Sequence, residues 1–136
     1  MRTSPLLRRI DAVTIPVPDL DSGVRFYCDG LGQTLLWRNE ALGQAGLGTP
    51  DSQTEIVLTT QLEYAPNWLV EDVQEAVHGV TVAGGRVLVE PFDIPVGRGV
   101  VVADAFGNTL VLLDVSQGRY TTDESGAVTG VAPDSP

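Results

Sequence analysis

A shift of 53 residues lays one half of this chain over the other. It carries Val17 onto Val70, Asp19 onto Asp72, Val24 onto Val77 and Gly32 onto Gly85, while a shift of 54 carries Val57 onto Val111. Strand, helix cap, helix face and glycine stop thus recur in the same order. Two small units each need a partner surface to bury their apolar faces, so a repeat of this kind restricts the chain to folds built from paired equivalent modules.

The elements follow from local pattern. Residues 10–17 (IDAVTIPV) are rich in β-branched side chains and read as a strand that Pro18 ends. Asp19 or Asp21 caps a helix whose apolar positions Leu20, Val24, Tyr27 and Leu31 lie on one face, and Gly30 and Gly32 stop it. Residues 34–38 form a strand, 39–53 a short strand within loops, 55–61 a further strand and 62–66 a linker. The pattern then restarts with a strand over 67–70, a cap at Glu71-Asp72, and a helix face of Val73, Ala76, Val77 and Val80. Gly84-Gly85 is the stop and residues 86–90 are the next strand, with Glu90 and Asp93 flanking a bend at Pro91. Residues 100–114 form a hairpin around an Ala-Phe-Gly-Asn turn that Asp104 caps. The predicted class is α+β, with an arm over 1–8, βαβββ modules over 9–62 and 63–115, and a tail over 116–136. Within the tail, Ser125-Gly126 turns a small hairpin and VAPDSP is expected to be disordered.

Charge and residue usage exclude several functions. Net charge is −10, all eight basic residues are arginine, and an acidic surface of this kind repels nucleic-acid phosphates and anionic lipid. Cys28 is the single cysteine, and no apolar run is long enough to span a bilayer, so the expectation is a soluble cytoplasmic protein. His78, the single histidine, falls on the polar side of the second helix and reads as a solvated side chain. No phosphate-cradling loop or nucleophile elbow is present, and Cys28 has no histidine in matching context.

Three stretches, VPDLDSGVRFYCDGLG (17–32), AGGRVLVEP (83–91) and VGRGVVVADAFGNTLVLLD (96–114), resemble the vicinal-oxygen-chelate superfamily in order and spacing. That superfamily includes glyoxalase I, extradiol dioxygenases, and the bleomycin- and fosfomycin-resistance proteins. A small departure is Ala105, where the family usually has proline. The resemblance implies two modules whose mixed sheet is cupped around a cavity, and a homodimer. Metal-dependent relatives carry a ligand in the first and last strand of each module. Those positions are Ala12, Val57, Ala65 and Val111 here, and none has a lone pair for a divalent ion. Asp11 and Glu55 do not restore a site, because a one-residue slip turns a strand side chain to the other face and one carboxylate is not a metal centre.

No metal or cofactor is therefore expected. Trp37, Trp68 and Phe92 are candidate aromatic walls for a flat ligand, with Tyr64 in the linker; each also reads as an ordinary core aromatic. Thr14, Glu55, Thr59 and Asn67 share strand faces with the apolar metal positions and are candidate polar contacts. Arg98 either reaches the cavity mouth or pairs with an acid such as Asp104. The leading expectation is a metal-free binder that sequesters a small hydrophobic or aromatic molecule, as the bleomycin-resistance relatives imply. The alternatives are a metal-independent isomerase or lyase using Glu55 or Asp93 as base, and a dimer with no ligand.

Overall fold

The computed structural model describes residues 4–133. The first module runs β1 (Arg9–Pro16), α1 (Leu20–Val24), a π-helical turn (Arg25–Gly30), β2 (Thr34–Asn39), β3 (Gln44–Gly48) and β4 (Glu55–Thr59). The second runs β5 (Ala65–Leu69), α2 (Val73–Val82), β6 (Arg86–Ile94), β7 (Gly97–Ala103) and β8 (Thr109–Asp114), and a hairpin of β9 (Arg119–Thr122) and β10 (Val128–Ala132) follows. The protein is α+β and the two modules share one topology. In the first, β2, β3, β4 and β1 are neighbours in that order; in the second, β6, β7, β8 and β5. Opening and closing strands pair in parallel at equivalent registers, Thr14 opposite Val57 and Asn67 opposite Val111.

Residue contacts divide the chain into two compact units. One comprises Asp11–Pro66 with Tyr120–Gly130, and the other comprises residues 4–10, Asn67–Arg119 and residues 131–133. The C-terminal hairpin thus packs mainly with the first module. In that unit Leu20, Ala45, Leu47 and Leu58 form a buried cluster that Val24, Tyr27, Cys28 and Leu35 join. Each fully buried leucine contributes about 2 kcal/mol. A helix as short as α1 has no stability of its own, so this packing holds it in place. In the other unit Val70, Val73, Ala76, Val100, Val102 and Leu112 form the equivalent cluster. Leu6 and Leu7, in the expected arm, pack against it, and Arg8 pairs with Glu71.

Local chemistry sets the helix starts. Asp19 accepts from Ser22 N at 2.7 Å and Asp72 from Glu75 N at 2.8 Å, so Asp19 is the cap and Asp21 is not. The first helix departs from expectation beyond Val24. Leu31 N donates to Phe26 O across five residues, the wider π turn. The extra residue rotates Leu31 off the apolar face and leaves it exposed. Strand β6 continues past Glu90 to Ile94, because it is an edge strand in which register shifts between Val87 and Phe92 absorb Pro91. Asp104 caps the β7–β8 turn as expected, accepting from Phe106 N and Asn108 N, with Gly107 at φ +91°. Gly126, at φ +89°, lies in the β9–β10 turn. Of VAPDSP, Val131 and Ala132 close β10, while residues 134–136 lie outside the described residues, as do 1–3.

Candidate functional site

Of the predicted site residues of the first module, Trp37 and Glu55 meet, on the sheet face opposite α1. Strand alternation would put Leu35 and Trp37 on the same face, but a register shift between them separates the two. Leu35 packs on the helix side, whereas Trp37 turns to the other face and is buried with Ala12 and Val57. Strand β3 makes room for the indole. Gly46 lies opposite Trp37, and a Cβ there would stand 2.1 Å from Trp37 Nε1. Trp37 Nε1 donates to Glu55 Oε1 at 2.7 Å, which fixes the ring and gives the face an acceptor at its edge.

The C-terminal hairpin covers this face. The Tyr120 ring packs on Trp37 with centroids 4.7 Å apart and planes inclined by 50°, and Val128 joins the same cluster. Arg38 N donates to Gly126 O at 2.8 Å, and Arg38 bridges to Ala127. Trp37 is left 9% exposed. Neither Tyr120 nor Val128 was a predicted site residue. The available signal was the apolar Tyr120 and Val128 among the polar residues of the hairpin, which shows amphipathicity but not where the apolar side docks.

Burial pushes the Tyr120 phenol above its usual 10.0, against an opposing hydrogen bond from Asn39. A group held above its unfolded value contributes stability that is fully present below about pH 10 and lost as the pH rises through the folded value. Above pH 10, the wild type is therefore expected to lose stability to urea more steeply than Tyr120→Phe, which has no phenol to ionise. Parallel pH curves for the two proteins would show that Tyr120 is not buried in this way.

The remaining candidates are placed as follows. The Thr14 hydroxyl donates to the carbonyls of Glu63 (2.6 Å) and Ala65 (3.2 Å). Thr59 Oγ1 accepts from Gln61 N and Leu62 N. Thr14 thus holds the linker that leads into β5, and Thr59 holds the chain as it leaves β4. Asn67 is buried on β5, while Trp68, its neighbour in the strand, points to the other face and packs against the cluster beneath α2 with its indole N–H buried and unbonded. Phe92 lies over Gly99 on the edge strand and is partly exposed. Arg98 pairs with Asp93 at 3.6 Å rather than with Asp104, whose carboxylate is taken up by its own turn. Tyr64 and His78 are exposed. Burial and the neighbouring Asp29 push the Cys28 thiol up, which disfavours the thiolate a nucleophile needs. A surface recess of about 310 Å³ lined by Asp21, Val24, Arg25, Asp29 and Arg38 includes none of the predicted site residues.

The residues do not fit the metal that the fold suggests. Ala12 and Val57 place hydrocarbon under the indole, and among the described residues no three His, Cys, Asp or Glu side chains come together as a metal site. Fold and site together define a twin-βαβββ protein in whose first module aromatic and aliphatic groups pack on the sheet face opposite α1. The chain belongs to the glyoxalase/bleomycin resistance protein/dioxygenase superfamily, which residues 9–112 match.

Solved structures agree on the fold. Methylmalonyl-CoA epimerase from Mycobacterium tuberculosis is similar with a TM-score of 0.66 and 23% identity over 84% of this chain and 92% of that one. A variant of Streptomyces coelicolor methylmalonyl-CoA epimerase in complex with 2-nitronate-propionyl-CoA gives 0.64 and 23% over 81% and 99%. A hypothetical protein from Bacillus halodurans gives 0.64 and 17% over 78% and 93%. No curated protein matches the chain. Among the described residues no helix is long and apolar enough to cross a membrane.

Proposed function

We propose that the protein binds a small hydrophobic or aromatic molecule without a metal ion and releases it unchanged. The observation that supports this reading is the cluster of Ala12, Trp37 and Val57: an aromatic plate packs over Ala12 and Val57, two of the positions at which the resemblance would put metal ligands. Such a face holds a flat apolar ligand by burial and stacking, with Glu55 as a polar contact at its edge. The activity named for the epimerases does not carry over. They share this chain's fold at low identity, and the side chains of Ala12, Val57, Ala65 and Val111 offer no donor for a metal ion. We also propose a homodimer, as in many relatives.

A panel of neutral aromatic compounds should quench tryptophan fluorescence, and each bound compound should be recovered chemically unchanged. Protein purified without a histidine tag should hold no stoichiometric nickel, zinc, iron or manganese. A converted compound, or one tightly held ion per chain, would overturn the reading.

A further inference from the structure

We propose that the hairpin of β9 and β10 is a displaceable cover, and that the face beneath it takes a neutral phenolic aromatic whose ring replaces that of Tyr120. This deepens the function proposed above and rests on it. What lies under the hairpin is already shaped for such a ring. Trp37 supplies the plate, Ala12 and Val57 the floor, Glu55 an acceptor at the edge, and the Asn39 side chain a partner for the phenol oxygen. The Tyr120 side chain is itself a phenol, so it shows the size and polarity that the place accepts.

The cover is built to be weakly held. A two-stranded hairpin is at best marginally stable alone. This one is a separate two-stranded sheet, and its order comes largely from its own turn, in which Asp123 accepts from Ser125 N, Ser125 Oγ and Ala127 N. Its docking on the first module includes the Tyr120 and Val128 side chains, the Tyr120–Asn39 hydrogen bond and a backbone bridge at Arg38. Thr122, Asp123, Glu124, Ser125, Thr129, Gly130 and Ala132 are exposed, so little apolar area opposes opening. At its base Gly118 has φ +118°, and a Cβ there would stand 1.9 Å from Ala132 O, so the two ends of the hairpin are held close together. The chain's net charge of −10 favours a neutral over an anionic ligand.

The test is hydrogen exchange of the full-length protein with and without 2-naphthol, together with calorimetric titration of wild type and Tyr120→Ala. Binding to the wild type should speed exchange over residues 119–132 and leave β3 and β4 unchanged. Tyr120→Ala, which lacks the competing ring, should bind about tenfold more tightly. Binding to the wild type with the hairpin still fully protected would overturn the cover and leave the metal-free binding function standing. Binding to Tyr120→Ala alone would make the hairpin a fixed wall and also overturn the cover, as would the absence of binding to both proteins.

Discussion

Asp114→Ala will cost roughly 3 kcal/mol of stability, the largest loss expected from removing one polar side chain in this protein. Asp114 ends β8 and is 3% exposed. Its Oδ2 accepts from Val73 N at 3.0 Å, while Oδ1 accepts from Arg98 N at 3.1 Å and Ser116 N at 3.2 Å. One carboxylate therefore ties the first turn of α2, the start of β7 and the exit of β8 together. Alanine leaves three backbone donors without their acceptor, each worth about 1 kcal/mol or more when buried. The carboxylate also faces the positive end of α2, which adds a favourable interaction that alanine lacks. The thermal midpoint should fall by about 10 °C. The conservative change Asp114→Asn should lose less, since one oxygen acceptor remains. If Asp114→Ala unfolds within about 1 kcal/mol of wild type in urea, the carboxylate is not holding these elements.

The second large effect is Trp37→Ala, expected to cost about 3–5 kcal/mol, the usual range for removing a buried aromatic. The indole packs on Ala12 and Val57, bonds Glu55 and receives the Tyr120 ring, so alanine empties the centre of that cluster. Trp37→Phe separates the two contributions. It keeps an aromatic plate and loses the N–H donated to Glu55, for a cost of about 1 kcal/mol beyond any change in packing. Because the hairpin docks on this ring, Trp37→Ala should also speed amide exchange over residues 119–132. Unchanged protection there would mean that the hairpin is held by something other than the indole.

Several features were legible before any coordinates. Asp72 caps α2 and Asp104 the turn after β7, as their sequence context indicates, and the offset between halves reappears in matched pairs, Thr14 with Val57 and Asn67 with Val111. These are short-range matters, in which the residue and its near neighbours contain the whole interaction. The apolar character of Ala12 and Val57 belongs to the same category, because a side chain without a lone pair has none in any fold. A local period does not fix where an element ends when a π turn or an edge strand intervenes. Leu31 left its helix face because a π turn inserts one residue, and β6 ran through Pro91 because an edge strand tolerates the missing donor.

The repeated βαβββ order was readable in the spacing of the chain, and its caps and turns in residue chemistry within a few positions. Packing of distant segments, by contrast, is what turns Trp37 at a bulge onto the face of Ala12 and Val57, lays Tyr120 over it, and brings Asp114 to Val73 across 41 residues. Those contacts join segments far apart in the chain. Their partners are selected by how whole strands and a hairpin pack, and no local periodicity records that choice.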